Sequence, residues 1–241
     1  MLISHKYKLI FLRTEKTAST SLSAAMRDAL GEDAIIARTY RDKTRRFRKL
    51  GEGSLKRAWP ERFGLHPHAT AAQVRRVYGP EIFDSYFKFA VERNPWERQV
   101  SLYFQRQRRR KPDDLDFDRD MRSWMFRTFR HVRLDNWSKY AIGDRIVADK
   151  VVMYHELEAG LQEVWDRVGI SVPIRMQLLN SGFRDRDTDY RDHYSDASRR
   201  IVSDWYRREI DAFGFTFDPA LPALSQTRDS LYERADEPEP A

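Results

Sequence analysis

Three short stretches of this 241-residue chain carry residue types that could do chemistry. The first is Thr14-Glu15-Lys16-Thr17-Ala18-Ser19-Thr20-Ser21, one lysine among hydroxyls. Leu9-Ile10-Phe11-Leu12 runs into it at the length of a buried strand, and Leu22, Ala25, Met26 and Ala29 follow at helical spacing. A strand feeding a helix through so tight a loop aims backbone N–H groups and the positive helix end at one point, which attracts phosphate or sulfate. Ser19 or Thr20 can instead simply cap the helix, the usual task of such residues. The lysine shifts the balance toward an anion, because a cap needs no cation. The loop is not a Walker A sequence: it has no glycine, and Lys16 precedes the hydroxyls. Ordinary ATP or GTP hydrolysis is therefore disfavoured, while a related phosphate loop stays open.

The second stretch is Glu92-Arg93-Asn94-Pro95-Trp96-Glu97-Arg98-Gln99-Val100-Ser101. Arg93 leaves a strand just before a helix, and Ser101 lies about two turns into that helix. A planar guanidinium fork suits phosphate, and a serine hydroxyl adds a further bond. A surface ion pair and a serine on a helix flank are the plain alternative. The third stretch is His66-Pro67-His68. An imidazole with a pKa of about 6.5 suits proton abstraction at neutral pH. Two histidines one residue apart also suggest a metal site, but the chain has six histidines in all and no cysteine to support one. No metal is expected.

These stretches need elements to hold them. Tyr86 to Glu92 reads as a strand with Phe87, Phe89 and Val91 on one side. Asn94-Pro95-Trp96-Glu97 starts a helix reaching about Arg109, with Glu97 where a capping-box carboxylate belongs. Thr70 caps a helix through Val74 and Val77, stopped by Gly79-Pro80. Ala34 to Arg38 and Lys150 to Tyr154 read as strands. Arg119 to Phe129, a short segment near Trp137, Leu157 to Val168 and a long stripe capped by Ser195 through Phe213 read as helices. Strands alternating with helices imply an α/β fold with a mostly parallel central sheet covered on both faces. Ligands sit beyond the carboxyl ends of such strands, where the lysine loop and the Arg93 turn both fall.

The totals bound the partners. An apolar fraction of 41% supports a real core, and the length fits one α/β domain over 1–218 with a proline-rich, acidic tail at 219–241. Without cysteine there are no disulfides, thiol catalysis or thiolate metal sites. No signal peptide or apolar run of membrane-spanning length is seen, so a soluble, cytoplasmic protein is expected. The net charge of +7 invites nucleic acid, yet acids interleave most of the basic residues. Two basic clusters, Arg38 to Lys49 and Arg106 to Lys111, would serve an anionic substrate equally well.

Taken together, Lys16-Thr17-Ala18-Ser19-Thr20-Ser21 and the RNPxxRxxSxY arrangement from Arg93 through Tyr103, with Arg93 and Ser101 in it, resemble the phosphosulfate-dependent sulfotransferases, particularly their carbohydrate (heparan-type) branch. Val152 to Leu157 and Phe213 to Phe217 resemble later landmarks of the same family, so the likeness spans about residues 7 to 217. It implies a P-loop NTPase-like sulfotransferase fold and a donor, 3′-phosphoadenosine 5′-phosphosulfate (PAPS). Lys16, Thr17, Ala18, Ser19, Thr20 and Ser21 would hold the 5′-phosphosulfate, and Arg93 and Ser101 the 3′-phosphate. Lys16 would offset charge on the bridging oxygen. The acceptor would be a glycan or another hydroxylated small molecule. His66-Pro67-His68 resembles the His-x-His of the uronyl 2-O-sulfotransferase subgroup, so His68 is the first candidate base and His66 the second, ahead of Glu92 and Glu156. One departure is Glu15, where a proline commonly precedes the lysine. A nucleotide-dependent phosphotransferase, and further off a basic nucleic-acid-binding module, are the competing readings.

Overall fold

The computed structural model describes residues 1–31, 34–36, 66–130, 132–173, 188–218 and 223–233. Its sheet is built from β1 (Leu2–Ser4), β2 (Leu9–Leu12), β3 (Ile35–Ile36), β4 (Phe87–Glu92), β7 (Lys150–Met153) and β8 (Gln226–Thr227), in the order β3-β1-β2-β4-β7-β8. A separate hairpin pairs β5 (Ala141–Ile142) with β6 (Arg145–Ile146). The central strands β2, β4 and β7 are parallel, with Phe11 beside Phe89 and Val91 beside Val152. β1 is antiparallel to β2 and to β3, so β3 runs with the central three; β8 closes the other edge antiparallel. This is the mixed α/β, mostly parallel sheet that the alternation of elements implies.

Both faces of the sheet are covered, which is why the strands read as continuous apolar runs. One face presents Leu9, Phe11, Phe89, Val91 and Val152 to α1 (Ser19–Leu30) and α8 (Leu157–Val168). Phe11 and Phe89 stack there, ring centroids 4.8 Å apart. The opposite face presents Ile10, Leu12, Ala90, Val151 and Met153 to α2 (Ala71–Tyr78), α4 (Pro95–Gln107), α9 (Asp196–Trp205) and α10 (Arg207–Phe213). α3 (Pro80–Ser85), α5 (Phe117–Arg122), α6 (Trp124–Phe129), α7 (Trp137–Tyr140) and α11 (Arg228–Glu233) are the other α-helices among the described residues. No helix among the described residues is long and apolar enough to cross a membrane.

Several expectations change. The helix expected over Arg119 to Phe129 is two, because Ser123 turns out of helical geometry and its hydroxyl accepts from Phe126 N–H. The long helix after Ser195 breaks at Tyr206, whose hydroxyl accepts from Leu134 N–H at 3.0 Å and donates to Gln99 at 2.8 Å. Gly79-Pro80 ends α2 but also opens α3, Pro80 taking the first helical position. Residues 223–233, assigned to a tail by composition, instead supply β8 and α11. Asp236 to Ala241 and the basic cluster from Arg38 to Lys49 lie outside the described residues.

Candidate active site

The carboxyl ends of β2, β4 and β7 open on one edge and deliver the lysine loop, Arg93 and Tyr154 to it. The loop is pinned from below. Thr14 donates to the Val91 carbonyl of β4 and shares a 2.8 Å hydrogen bond with the Thr17 hydroxyl. The side chain of Asn136 grips the Glu15 peptide on both sides, accepting from its N–H at 2.9 Å and donating to its carbonyl at 3.1 Å. So held, Lys16 (φ 64°) and Ala18 (φ 53°) both adopt left-handed backbone, a conformation costing an L-residue roughly 1–2 kcal/mol. Ala18 is the N-cap of α1 and brings no capping side chain. Neither Ser19 nor Thr20 caps, correcting the plain reading of those residues: they are the first helical residues, and the positive end of α1 faces the loop mouth. Thr17, Ser19 and Ser21 are buried and Thr20 is exposed, with its hydroxyl accepting from Arg13 at 2.8 Å.

Lys16 and Arg93 share this crevice. Arg93 Nη1 donates to the Lys16 carbonyl at 3.4 Å, its guanidinium lies 4.5 Å over the Tyr154 ring, and it pairs with Glu97. The buried Nε of Arg93 has no partner among the described residues. Burial, and then the Arg93 guanidinium, lower the Lys16 pKa to about 8, with Glu15 working weakly against them. The Glu15 carboxylate itself makes no ion pair among the described residues; its backbone, held by Asn136, decides where it stands. Glu97 does not form the expected capping box, because its carboxylate turns back to Arg93 while Asn94 alone caps α4. Ser101 is half-buried one turn beyond Glu97, and no hydrogen bond ties it to Arg93.

The two histidines flank the same loop in different states. His68 Nδ1 lies 3.1 Å from the Arg13 carbonyl. A carbonyl only accepts, so Nδ1 carries the hydrogen and Nε2 keeps its lone pair. Burial, followed by the Arg13 charge, lowers the His68 pKa to about 3, so the ring is neutral but less basic than the ordinary imidazole that the sequence suggests. His66 Nδ1 accepts from His68 N–H at 3.1 Å, which places the hydrogen of a neutral His66 on Nε2. Burial also lowers the His66 pKa, against the pull of Glu15. Of the pair, His68 alone offers a free ring lone pair.

Beneath the crevice lies a buried polar network. Glu92 and Arg98 are wholly buried and paired; Arg98 also reaches Glu209 at 3.4 Å and stacks 4.5 Å over Tyr206. Asn136 donates to Glu92 at 3.3 Å, joining this network to the lysine loop. Burial raises the Glu209 and Tyr140 pKa values, while the Glu92 and Glu209 carboxylates outweigh the burial of Arg98 and raise its own. Glu92 is thus a structural partner, and Glu156 accepts from Ser225 N–H at 2.9 Å. Tyr190 and Tyr194 point their hydroxyls at the carbonyls of Phe217 and Trp96 and pack edge-on against Phe217. Asn136 went unseen in the sequence, where a lone asparagine before Trp137 carries no signal. Among the described residues no group of three His, Cys, Asp or Glu side chains is arranged to hold a metal.

The family model described as "Sulfotransferase family" matches residues 1–216. A protein of Archaeoglobus fulgidus, described as an uncharacterized protein, is 26% identical over 123 residues, covering 50% of this chain and 96% of its own length. No solved structure matches the chain significantly.

Proposed function

Because the chain belongs to the sulfotransferase family, we propose that it moves the sulfuryl group of PAPS to a hydroxyl or amine of a carbohydrate acceptor. One observation carries this reading. Lys16 and Arg93 occupy a single crevice at the ends of β2 and β4, and the buried Nε of Arg93 has no partner there among the described residues. A nucleotide with anionic groups at both its 3′ and 5′ ends calls for two such cationic points. The Lys16 to Ser21 loop, with the uncapped start of α1, receives the 5′-phosphosulfate; Arg93, with Ser101 on the same helix, receives the 3′-phosphate.

The donor supplies an activated sulfuryl group on a phosphate that is already a good leaving group, so the proposal gives no role to a metal. The chain's own residues do the rest. Backbone N–H groups and hydroxyls fix the reacting groups in line. Lys16 offsets charge growing on the bridging oxygen. His68 accepts the acceptor's proton at Nε2, and its Nδ1–H bond to Arg13 holds the ring in that tautomer. His66 is the second candidate, weaker because its lone pair is already engaged.

The test is a melting experiment with 3′-phosphoadenosine 5′-phosphate against ATP plus Mg²⁺. A ligand at about a hundred times its Kd adds about 2.7 kcal/mol of stability, so the 3′-phosphorylated nucleotide should raise the Tm by several degrees and ATP should not. Stabilisation by ATP alone would favour a phosphotransferase. Labelled donor with a panel of hydroxylated saccharides then identifies the acceptor.

A further inference from the structure

The short helix α6 (Trp124–Phe129) turns most of its apolar residues outward. Trp124 is 64% exposed, Met125 56% and Phe129 69%, whereas Phe126 points inward and packs on Tyr103 at 5.9 Å between ring centroids. One aromatic therefore anchors the helix while three large apolar side chains stand in water. Covering them would take their apolar surface out of water, so the cluster is a surface awaiting a cover.

The surroundings say what kind. Between positions 106 and 133 the chain carries ten basic residues against five acidic ones. Two of those acids are engaged locally: Asp118 pairs with Arg122 at 2.9 Å and Asp120 with Arg110 at 2.5 Å. Arg106, Arg109, Lys111 and Arg130 are exposed. The Arg106 side chain donates to the Arg130 carbonyl at 3.5 Å, binding the basic end of α4 to the end of α6. Cationic side chains thus stand beside Trp124, Met125 and Phe129 on one prominence. The arginine-rich end of α4 lies about 20 Å along the helix from the Arg93 end.

We propose that this prominence docks the protein peripherally on an anionic phospholipid surface, with Trp124, Met125 and Phe129 entering the headgroup and acyl boundary and the surrounding arginines and Lys111 meeting lipid phosphates. A sulfated polysaccharide would use the arginines but gain little from Met125 and Phe129, whereas an uncharged apolar partner would gain nothing from the basic rim. A lipid interface uses both together: Trp and Phe settle at headgroup depth, and each nearby basic residue adds attraction to anionic lipid.

The test is co-sedimentation of the full chain with phosphatidylcholine vesicles, with and without about a third phosphatidylserine. The expected result is binding to the anionic vesicles that weakens with salt, with little binding to phosphatidylcholine alone. A Trp124→Ser/Met125→Ser/Phe129→Ser variant and an Arg109→Glu/Lys111→Glu variant should each lose at least about tenfold in partition. Because these side chains are exposed, both variants should melt as the wild type does and keep the same stabilisation by nucleotide. Absence of wild-type binding, or undiminished binding of the apolar variant, overturns the proposal. Salt-sensitive binding to heparin or RNA in its place would assign the patch to a polyanion. A concentration-dependent dimer abolished by the apolar variant would assign it to a second copy.

Discussion

In the proposed mechanism, two side chains with depressed pKa values set opposite limits on activity. As the proposed base, His68 could act only when neutral, and burial and Arg13 keep it neutral down to about pH 3. Lys16 works only when charged, and its pKa of about 8 means that it discharges just above neutrality. The pH profile of kcat/KM reports groups of the free enzyme. It should therefore be flat from about pH 5 to 7, without the acid limb near 6.5 that an ordinary histidine gives, and should fall about tenfold per pH unit above about pH 8. In Lys16→Arg the alkaline limb should vanish, because a guanidinium does not discharge there; a limb that stays near 8 would assign it to another group. Lys16→Ala and His68→Ala should each lose turnover while melting as folded proteins, and full activity in either removes that residue from the chemistry. Arg93→Lys keeps the charge but loses the fork over Tyr154. It should weaken 3′-phosphoadenosine 5′-phosphate by about tenfold or more while leaving adenosine 5′-phosphosulfate nearly unaffected, a pair of affinities that calorimetry separates.

At the scale of elements, α8 lies so close on β7 that a Cβ on Gly160 would stand 2.4 Å from Val152 Cγ1. Gly160→Ala should destabilise by about 1–3 kcal/mol in urea unfolding, and adding Val152→Ala should recover part of the loss. The pattern of elements around this contact was legible in advance where the signal is local. The apolar runs of β2 and β4, the Asn94 cap and the Leu157–Val168 helix closed by Gly169 all announce themselves within a few residues. What stayed hidden depends on partners remote in sequence. Tyr206 breaks a helix because Gln99 and Leu134 claim its hydroxyl. Leu2–Ser4 is too short to read as a strand until β2 and β3 pair with it. In the site, residue types and order made Lys16, Arg93 and the histidines visible, but not that Ala18 would cap α1 in left-handed backbone or that Asn136 would clamp Glu15. No side-chain pattern encodes either.

For the molecule as a whole, Arg98 is the buried charge that lets β4, α4 and α10 meet, since it answers both Glu92 and Glu209. Arg98→Met should cost about 3–5 kcal/mol, because two carboxylates stay buried without a cation. Their pKa values in the folded variant would rise above the unfolded ones, so the deficit should shrink as pH falls and they take up protons; urea curves at two pH values check the sign. The far edge of the sheet has a more practical bearing. β8 pairs Gln226 with Val151 and Thr227 with Lys150, Ser225 accepts from Met153 N–H at 2.9 Å, and Arg228 holds Asp149 at 3.1 Å. The family match stops at residue 216, short of all of this. Anyone trimming the gene to the matched span would strip a finished border and bare a raw one, offering each molecule's β7 to its neighbour's. Such a shortened protein should scatter light and clump on storage while the untrimmed chain stays clear.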